Sequence, residues 1–481
     1  MPGKCLRGIC MGFRTEEDFL GKMQVPAHAY YGIFTARASQ NFQISQSRPP
    51  REFIRMLALV KKSAAEANVK TGSLGAKEGR AISHAADEAA SGKFDAEFIL
   101  DAYTAGAGTP FNMNMNEVIA NRAVELLGGK KGQYALVHPN NQVNMSQSSN
   151  DVIPTAIRLT LLAQSGSVIS EAEMLASEIG KKEKEFSGVI KAGRTHLMDA
   201  VPLGVSDELS AFSSALRLDK VRVAAAADCL RELPLGATAL GSGINAHPDY
   251  KSEVVARVAA NTGLKVHEGK NLFRLTSQAS DFLAYSSALR GLALTIHKLS
   301  NDLKLLSSGP STMVGEFILP EVEPGSSIMP GKVNPSAPEC AEMVSNRAMG
   351  NDSAVLLACL GGQLQLNVQT PLILQCLSES NQLLANCMRM LRTRCICGLK
   401  ISRRKIQHNL DASLITLTAL APYFGYAKIS EIVKKAQKEG ISIKEAVLAA
   451  GLLTEKEYGK ILSPSRLTRP VPPEKIATKH R

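Results

Sequence analysis

The chain has no tryptophan, and aromatic residues make up only 5% of its 481 positions. That scarcity disfavours stacking platforms for single-stranded nucleic acid or sugar rings. No uninterrupted apolar run approaches the ~20 residues that span a bilayer. The opening stretch MPGKCLRGICMGF lacks the apolar segment of a secretory signal, so no membrane partner and a cytoplasmic location are expected. The nine cysteines (5, 10, 229, 340, 359, 376, 387, 395 and 397) are odd in number, scattered, and never spaced Cys-x-x-Cys. They read as reduced thiols rather than a disulfide framework, and Cys395-x-Cys397 alone is too little for a metal site. No His-Glu-x-x-His pair, Gly-x-Ser-x-Gly elbow or dinucleotide fingerprint occurs. Metal-dependent hydrolysis, α/β-hydrolase chemistry and nicotinamide chemistry lose support, and neither metal nor cofactor is expected.

Hydrophobic residues at 44% and charged residues at 21% are ordinary globular values, and the length suits two or three domains. The formal charge of +12 is uneven: residues 1–14 carry +3 and residues 466–481 carry +4. No nucleic-acid recognition module accompanies those basic ends, so no nucleic-acid partner is expected. A mildly basic body suits anionic substrates.

After residue 50 the apolar period is helical almost everywhere. Tyr285, Leu289, Leu292, Ile296, Leu299, Leu303 and Leu306 recur at alternating spacings of four and three. They predict one long helix within 276–308, stopped by Gly309-Pro310, whose stripe needs partner helices to cover it. Residues 151–187 read likewise, with Asp151 as cap and Pro154 in the first turn. Further long helices are expected at 207–231, 339–360 and 372–394. A shorter one is expected at 116–127, capped by Asn116 and ended by Gly128-Gly129. Residues 21–50 read as loop with short strands. Ser442…Glu445 and Thr454…Glu457 are capping boxes opening short helices of a small C-terminal domain, and the tail from Ser463, with four prolines, reads as extended or disordered. The expected class is mainly α.

Four small-polar loops interrupt this helical pattern. Residues 323–335, EPGSSIMPGKVNP, supply Ser326, Ser327, Lys332 and Asn334. A phosphate loop is ruled out by the glycine spacing and by Val333 where Ser or Thr is required. A loop closing over a carboxylate, with Lys332 as countercharge, fits better. Residues 146–151, SQSSND, open a long helix and read either as an anion site or as a plain cap cluster. Residues 193–199, GRTHLMD, place His196 beside Thr195, as an acid–base group or as a structural histidine. Residues 109–114, TPFNMN, form the fourth loop.

GSSIMPGKVNP, HPNNQVNMSQSSNDVIPTA, GRTHL-x-DA and NMNMNEVIANRA together resemble the aspartase/fumarase superfamily over about residues 14–465. That resemblance implies a three-domain helical chain, with domains at 1–148, a central helical bundle at 149–403, and 404–481 with its basic tail. The central bundle is shared in a homotetramer, with each site drawn from three chains. It implies anti elimination from a small dicarboxylate, releasing fumarate. Ser326 is then the base, and an aci-carboxylate dianion is held by Lys332 and Asn334. Thr109, Ser148, Ser149 and Asn150 hold carboxylate oxygens or the leaving group, with Ser327 beside the base. Thr195 and His196 complete the pocket, and Glu339 sets the imidazole's charge state.

Ala29-Tyr-Tyr-Gly-Ile33, Gly362-Gln-Leu-Gln-Leu-Asn-Val368 and Asn140-Asn141 look like the aspartate ammonia-lyase branch. Ser148-Ser149 leans toward the fumarate hydratase branch. Met198, Asp207, Pro110, Phe111 and Ser311 depart from the family pattern and keep open a weakly active or inactive member with a structural or binding role.

Overall fold

The computed structural model describes residues 12–413 and 420–470. Cys5, Cys10 and most of the basic charge at the two ends lie outside the described residues. The protein is 62% helical. Among the described residues the strands form five two-stranded pairs, and no larger sheet organises their core. Five long helices dominate: Ser149–Glu185, Val205–Asp228, Ser280–Leu306, Ser336–Leu360 and Thr370–Leu391. The Ser149–Glu185 helix is apolar and long enough to cross a membrane, but its apolar window is 72% buried within the chain, as in a core helix.

All seven residues of the 285–306 stripe are buried. One chain therefore covers that stripe by itself, and only the opposite face leaves Leu294 and Leu305 exposed.

The chain divides into two compact units. The first comprises Met1–Ile169, Val221–Gly291 and Arg347–Leu384. It opens with an antiparallel hairpin, Phe13–Asp18 with Gly21–Pro26. A helix at Ile33–Asn41 follows, in a stretch whose sequence reads as loop. Its start is fixed from outside, because the buried Glu117 carboxylate accepts the N–H groups of Gly32, Phe34 and Thr35 and the Thr35 hydroxyl. Those distant donors leave no local sequence pattern. A Cβ on Gly32 would lie 2.8 Å from the Glu117 carboxylate and 2.7 Å from the Tyr134 hydroxyl. Gly32→Ala is expected to destabilise the protein by about 1–3 kcal/mol, read as a fall in urea midpoint at unchanged slope.

Helix Arg51–Lys70 packs on Ala76–Ser91 and Tyr250–Thr262, and its Phe53, Met56, Leu57 and Val60 are buried. The helix expected from Asn116 starts at Thr109 instead. Pro110 sits in its first turn, where a missing N–H costs nothing, and Asn116 is a buried interior residue rather than a cap. The Tyr285 hydroxyl donates to Asn381 at 2.7 Å and Gln164 to Ser378 at 2.7 Å, tying long helices together inside this unit.

The second unit comprises Ser170–Lys220, Leu292–Asn346 and Ala385–Arg481. An antiparallel hairpin, Ile190–Thr195 with Met198–Gly204, packs its Ile190 and Ala192 against Leu410 of the Arg403–Ala412 helix. Glu171 pairs with Arg389 at 2.6 Å, and Lys304 with Glu342 at 2.6 Å. Near the C-terminus, short helices enclose Leu420, Ile429, Ile432, Ile443, Val447 and Ile461. Both capping boxes close as expected, at Ser442/Glu445 and Thr454/Glu457. Pro464–Leu467 makes one helical turn where the sequence reads as extended or disordered, and the tail beyond residue 470 lies outside the described residues.

Candidate active site

The expected site residues fall into two groups. Thr109, Ser148, Ser149 and Asn150 lie in the first unit. Thr195, His196, Ser326, Ser327, Lys332, Asn334 and Glu339 lie in the second.

In the first unit, Thr109 opens its helix immediately after Ala107 and Gly108, both left-handed (φ 57° and 67°). That turn is pinned where the Ala107 N–H donates to the Val368 carbonyl at 2.8 Å. The Ser149–Glu185 helix begins two residues earlier than its sequence suggests, because Ser148 caps it. The Ser148 hydroxyl accepts the Asn150 N–H, and Asp151 accepts the Ser148 N–H from inside the first turn. Asp151 also accepts from the Gly236 and Thr238 N–H groups. Burial pushes its carboxyl up to about 7, against the pull of those three N–H donors and of Lys61. Asn150 donates to the Ala239 carbonyl at 2.8 Å, and Ser149 accepts from Asn112 at 3.2 Å. The Thr109 side chain makes no hydrogen bond among the described residues.

In the second unit, His196 and Leu197 form the two-residue turn of the 190–204 hairpin, with φ of 55° and 60°. This mirror-image turn matches the twist of the strands and holds Thr195 and His196 out in solvent. Glycine is required at Gly193, since a Cβ there would collide with the Val201 carbonyl at the bulge.

The hairpin's base is clamped by Glu316, which is fully buried. Glu316 meets Arg194 at 2.8 Å and Lys191 at 3.1 Å, accepts from Asn409 at 3.0 Å, and Lys191 also meets Glu208 at 2.9 Å. Burial pushes the Glu316 carboxyl up, but Arg194, Lys191 and Asn409 outweigh it and hold it below its ordinary value of 4.5. A depressed carboxyl stabilises the fold above its unfolded pKa, and that stability is lost as pH falls through the folded value. Glu316→Gln is expected to cost about 3 kcal/mol near neutrality, because it takes the charge partner from half-buried Arg194 and one of two carboxylates from buried Lys191. The difference from wild type should shrink as pH falls below about 4.5 and through the lower value of the native carboxyl, as read by urea unfolding across pH.

The 323–335 loop is bonded mainly to itself. Gly325 N–H donates to Lys332 O at 2.8 Å, and Asn334 donates its amide to Gly325 O at 2.8 Å. A Cβ on Gly325 would sit 2.6 Å from that Lys332 oxygen. Within this frame the Ser326 hydroxyl oxygen accepts two backbone N–H groups, from Met329 at 3.0 Å and Ile328 at 3.2 Å. Two donors aimed at one hydroxyl oxygen favour its deprotonated form. Ser327 and Lys332 are exposed. Lys332 has no ion pair, and no hydrogen bond joins Glu339 to His196, among the described residues.

The family models that match are Lyase, over residues 21–350, and Fumarase C C-terminus, over residues 417–469. The chain is 44% identical over 462 residues to an aspartate ammonia-lyase of Pseudomonas canavaninivorans, covering 95% of this chain and 97% of that one. It is 42% identical over 461 residues to a class II fumarate hydratase of Campylobacter jejuni, covering 96% of this chain and all of that one. The chain belongs to the aspartase/fumarase superfamily.

Among solved structures, a fumarate lyase:delta crystallin from Brucella melitensis bound to cobalt superposes with a TM-score of 0.92 at 41% identity, covering 95% of this chain and 100% of that one. A class II fumarase from Schistosoma mansoni gives 0.90 at 36%, covering 94% and 98%. The mainly helical, multi-domain architecture is thus that of the aspartase/fumarase superfamily.

Two departures from the superfamily pattern are structural in kind. Pro110 occupies a first helical turn, and Phe111 is buried edge-on against Phe53, with ring centroids 5.8 Å apart. Met198 is exposed at the hairpin turn, and Asp207 lies in the first turn of the Val205–Asp228 helix. Neither periodicity nor spacing marks Glu316, a single charge between short apolar strands. Lys61 and Glu117 leave a fainter mark, since both are ionisable residues on otherwise apolar helix faces; Lys61 falls in line with Leu57 and Ala64.

Proposed function

We propose that the protein is an aspartate ammonia-lyase, acting by reversible anti elimination. The observation that carries the chemistry is the pair of N–H groups on the Ser326 oxygen. They supply what an ordinary serine lacks as a base, stabilisation of its alkoxide. Ser326 removes a proton from the carbon adjacent to a substrate carboxylate. The electron pair enters that carboxylate as an aci-carboxylate dianion, then returns to form the double bond as ammonia leaves. The intermediate carries more charge than the substrate, so donors and cations placed in advance favour it selectively. Lys332 and Asn334 supply them, and Thr109, Ser148, Ser149 and Asn150 hold carboxylate oxygens or the leaving ammonia. Ser327 lines the pocket beside the base, while Thr195 and His196 complete it, with Glu339 acting on the imidazole. The sites are completed between copies in a homotetramer, which light scattering tests as about four chain masses. A monodisperse monomer would sink that part of the reading.

The choice of aspartate rests on the Ala29–Ile33 and Gly362–Val368 segments. The first is built in by the Glu117 contacts and by the Tyr30 hydroxyl, which donates to Glu125 at 2.8 Å. The second ends in a hairpin whose Leu364 tip is 90% exposed. Ser148-Ser149 favours a second reading, class II fumarate hydratase. Paired ultraviolet assays for fumarate, one from L-aspartate and one from L-malate, decide. Fumarate from aspartate supports the proposal, and fumarate from malate alone replaces it with the hydratase. Silence with both turns the reading to another succinyl substrate or to a non-enzymatic member of the superfamily.

A further inference from the structure

Lys61 has no part in the chemistry above, yet it is completely buried and bonded to Asn144 and Gln147, just before the Ser148–Asn150 segment in the chain. Buried ammonium groups ordinarily sit against a carboxylate. Lys61 does not: its Nζ donates to the amide oxygens of Asn144 and Gln147, both at 2.9 Å, and no carboxylate lies within ion-pair distance among the described residues. From the first turn of the Ser149–Glu185 helix, Asp151 acts on it only through space, and its oxygens are already engaged by three backbone N–H groups. The Thr109–Leu126 helix faces the cluster with neutral amides, Asn112 and Asn116, whose Oδ1 atoms are buried without a partner. The Tyr250–Thr262 helix brings the Tyr250 phenol into the field of Asp151. On the side toward Ala76–Ser91, Asp87 is taken by the neighbouring Lys62.

A short relay leads from this cation to the helix start. Asn144 Oδ1 accepts from Lys61 and from Asn112 Nδ2 at 3.1 Å, and the same Asn112 amide donates to Ser149 Oγ at 3.2 Å. A hydroxyl that accepts from Asn112 keeps its own hydrogen available to donate to a ligand.

We infer that Lys61 is a positioning residue whose missing countercharge is the substrate carboxylate held at Ser148–Asn150. The inference rests on the dicarboxylate reading of that segment. Burial pushes the Lys61 ammonium down to about 7 in the unliganded protein, opposed by Asp151. An arriving dianion favours the charged form, so the protein must take up a proton as the ligand binds at about pH 8.

Succinate, a four-carbon dicarboxylate with no leaving group, is the probe. Calorimetric titration of the full-length protein at pH 8, in two buffers of different ionisation enthalpy, gives the proton count. Wild type should take up a substantial fraction of a proton. Lys61→Met should take up none and bind about tenfold more weakly, the equivalent of one pKa unit of linkage. If Lys61→Met does not fold, Lys61→Arg replaces it, since a guanidinium stays protonated at pH 8: binding should survive without uptake. Absence of uptake in wild type that binds succinate, or its persistence in the Lys61 variant, overturns the inference while leaving the dicarboxylate reading intact. Failure of succinate to bind wild type removes that reading and this inference with it.

Discussion

Ser326→Ala should lower turnover by about three orders of magnitude or more while leaving thermal stability and assembly unchanged. The hydroxyl lies on a loop outside the helical core, and the fold uses it only to receive two N–H groups of the same loop. Removing it frees two donors that water can satisfy, so the structural cost is small. The catalytic cost is the entire base. Stopped-flow or steady-state fumarate assays beside a melting curve separate the two. Near-normal turnover in a folded Ser326→Ala protein would take the base role away from Ser326. A parallel loss of stability would show the loop to be structural.

Lys332→Met should lower kcat/KM by about two to three orders of magnitude. Lys332 is exposed and without an ion pair among the described residues, so methionine leaves no stranded partner in the protein. What is lost is the countercharge to a dianion that exists only during reaction, and kcat should therefore fall along with the affinity. The defect should not respond to added salt in the way a steering effect does. Unchanged kinetics would place Lys332 outside the site.

Much of this protein is legible before folding is considered. The 285–306 stripe and the capping boxes at Ser442 and Thr454 are local patterns with local causes, and they appear where they are expected. The loops carrying Ser326 and His196 are equally visible, because proline, glycine and small polar residues interrupt a helical period. What escapes is set by contacts distant in sequence. The 33–41 helix owes its start to Glu117, more than eighty residues away in the chain. The Thr109 helix hides behind asparagines that face a buried amide cluster rather than solvent, so its polar sequence imitates a loop. Glu316 is a single charge with no periodic partner, and only the assembled core shows that it clamps the hairpin bearing Thr195 and His196.

The hydrogen bonds that shape the Ser326 loop begin and end inside residues 323–335. Such a segment behaves as a module of inheritance. It can be exchanged between relatives, or moved onto a different scaffold, with its reactive oxygen already in place. Recombination would then alter what surrounds the serine, and with it which leaving group is expelled, without having to rebuild the serine itself.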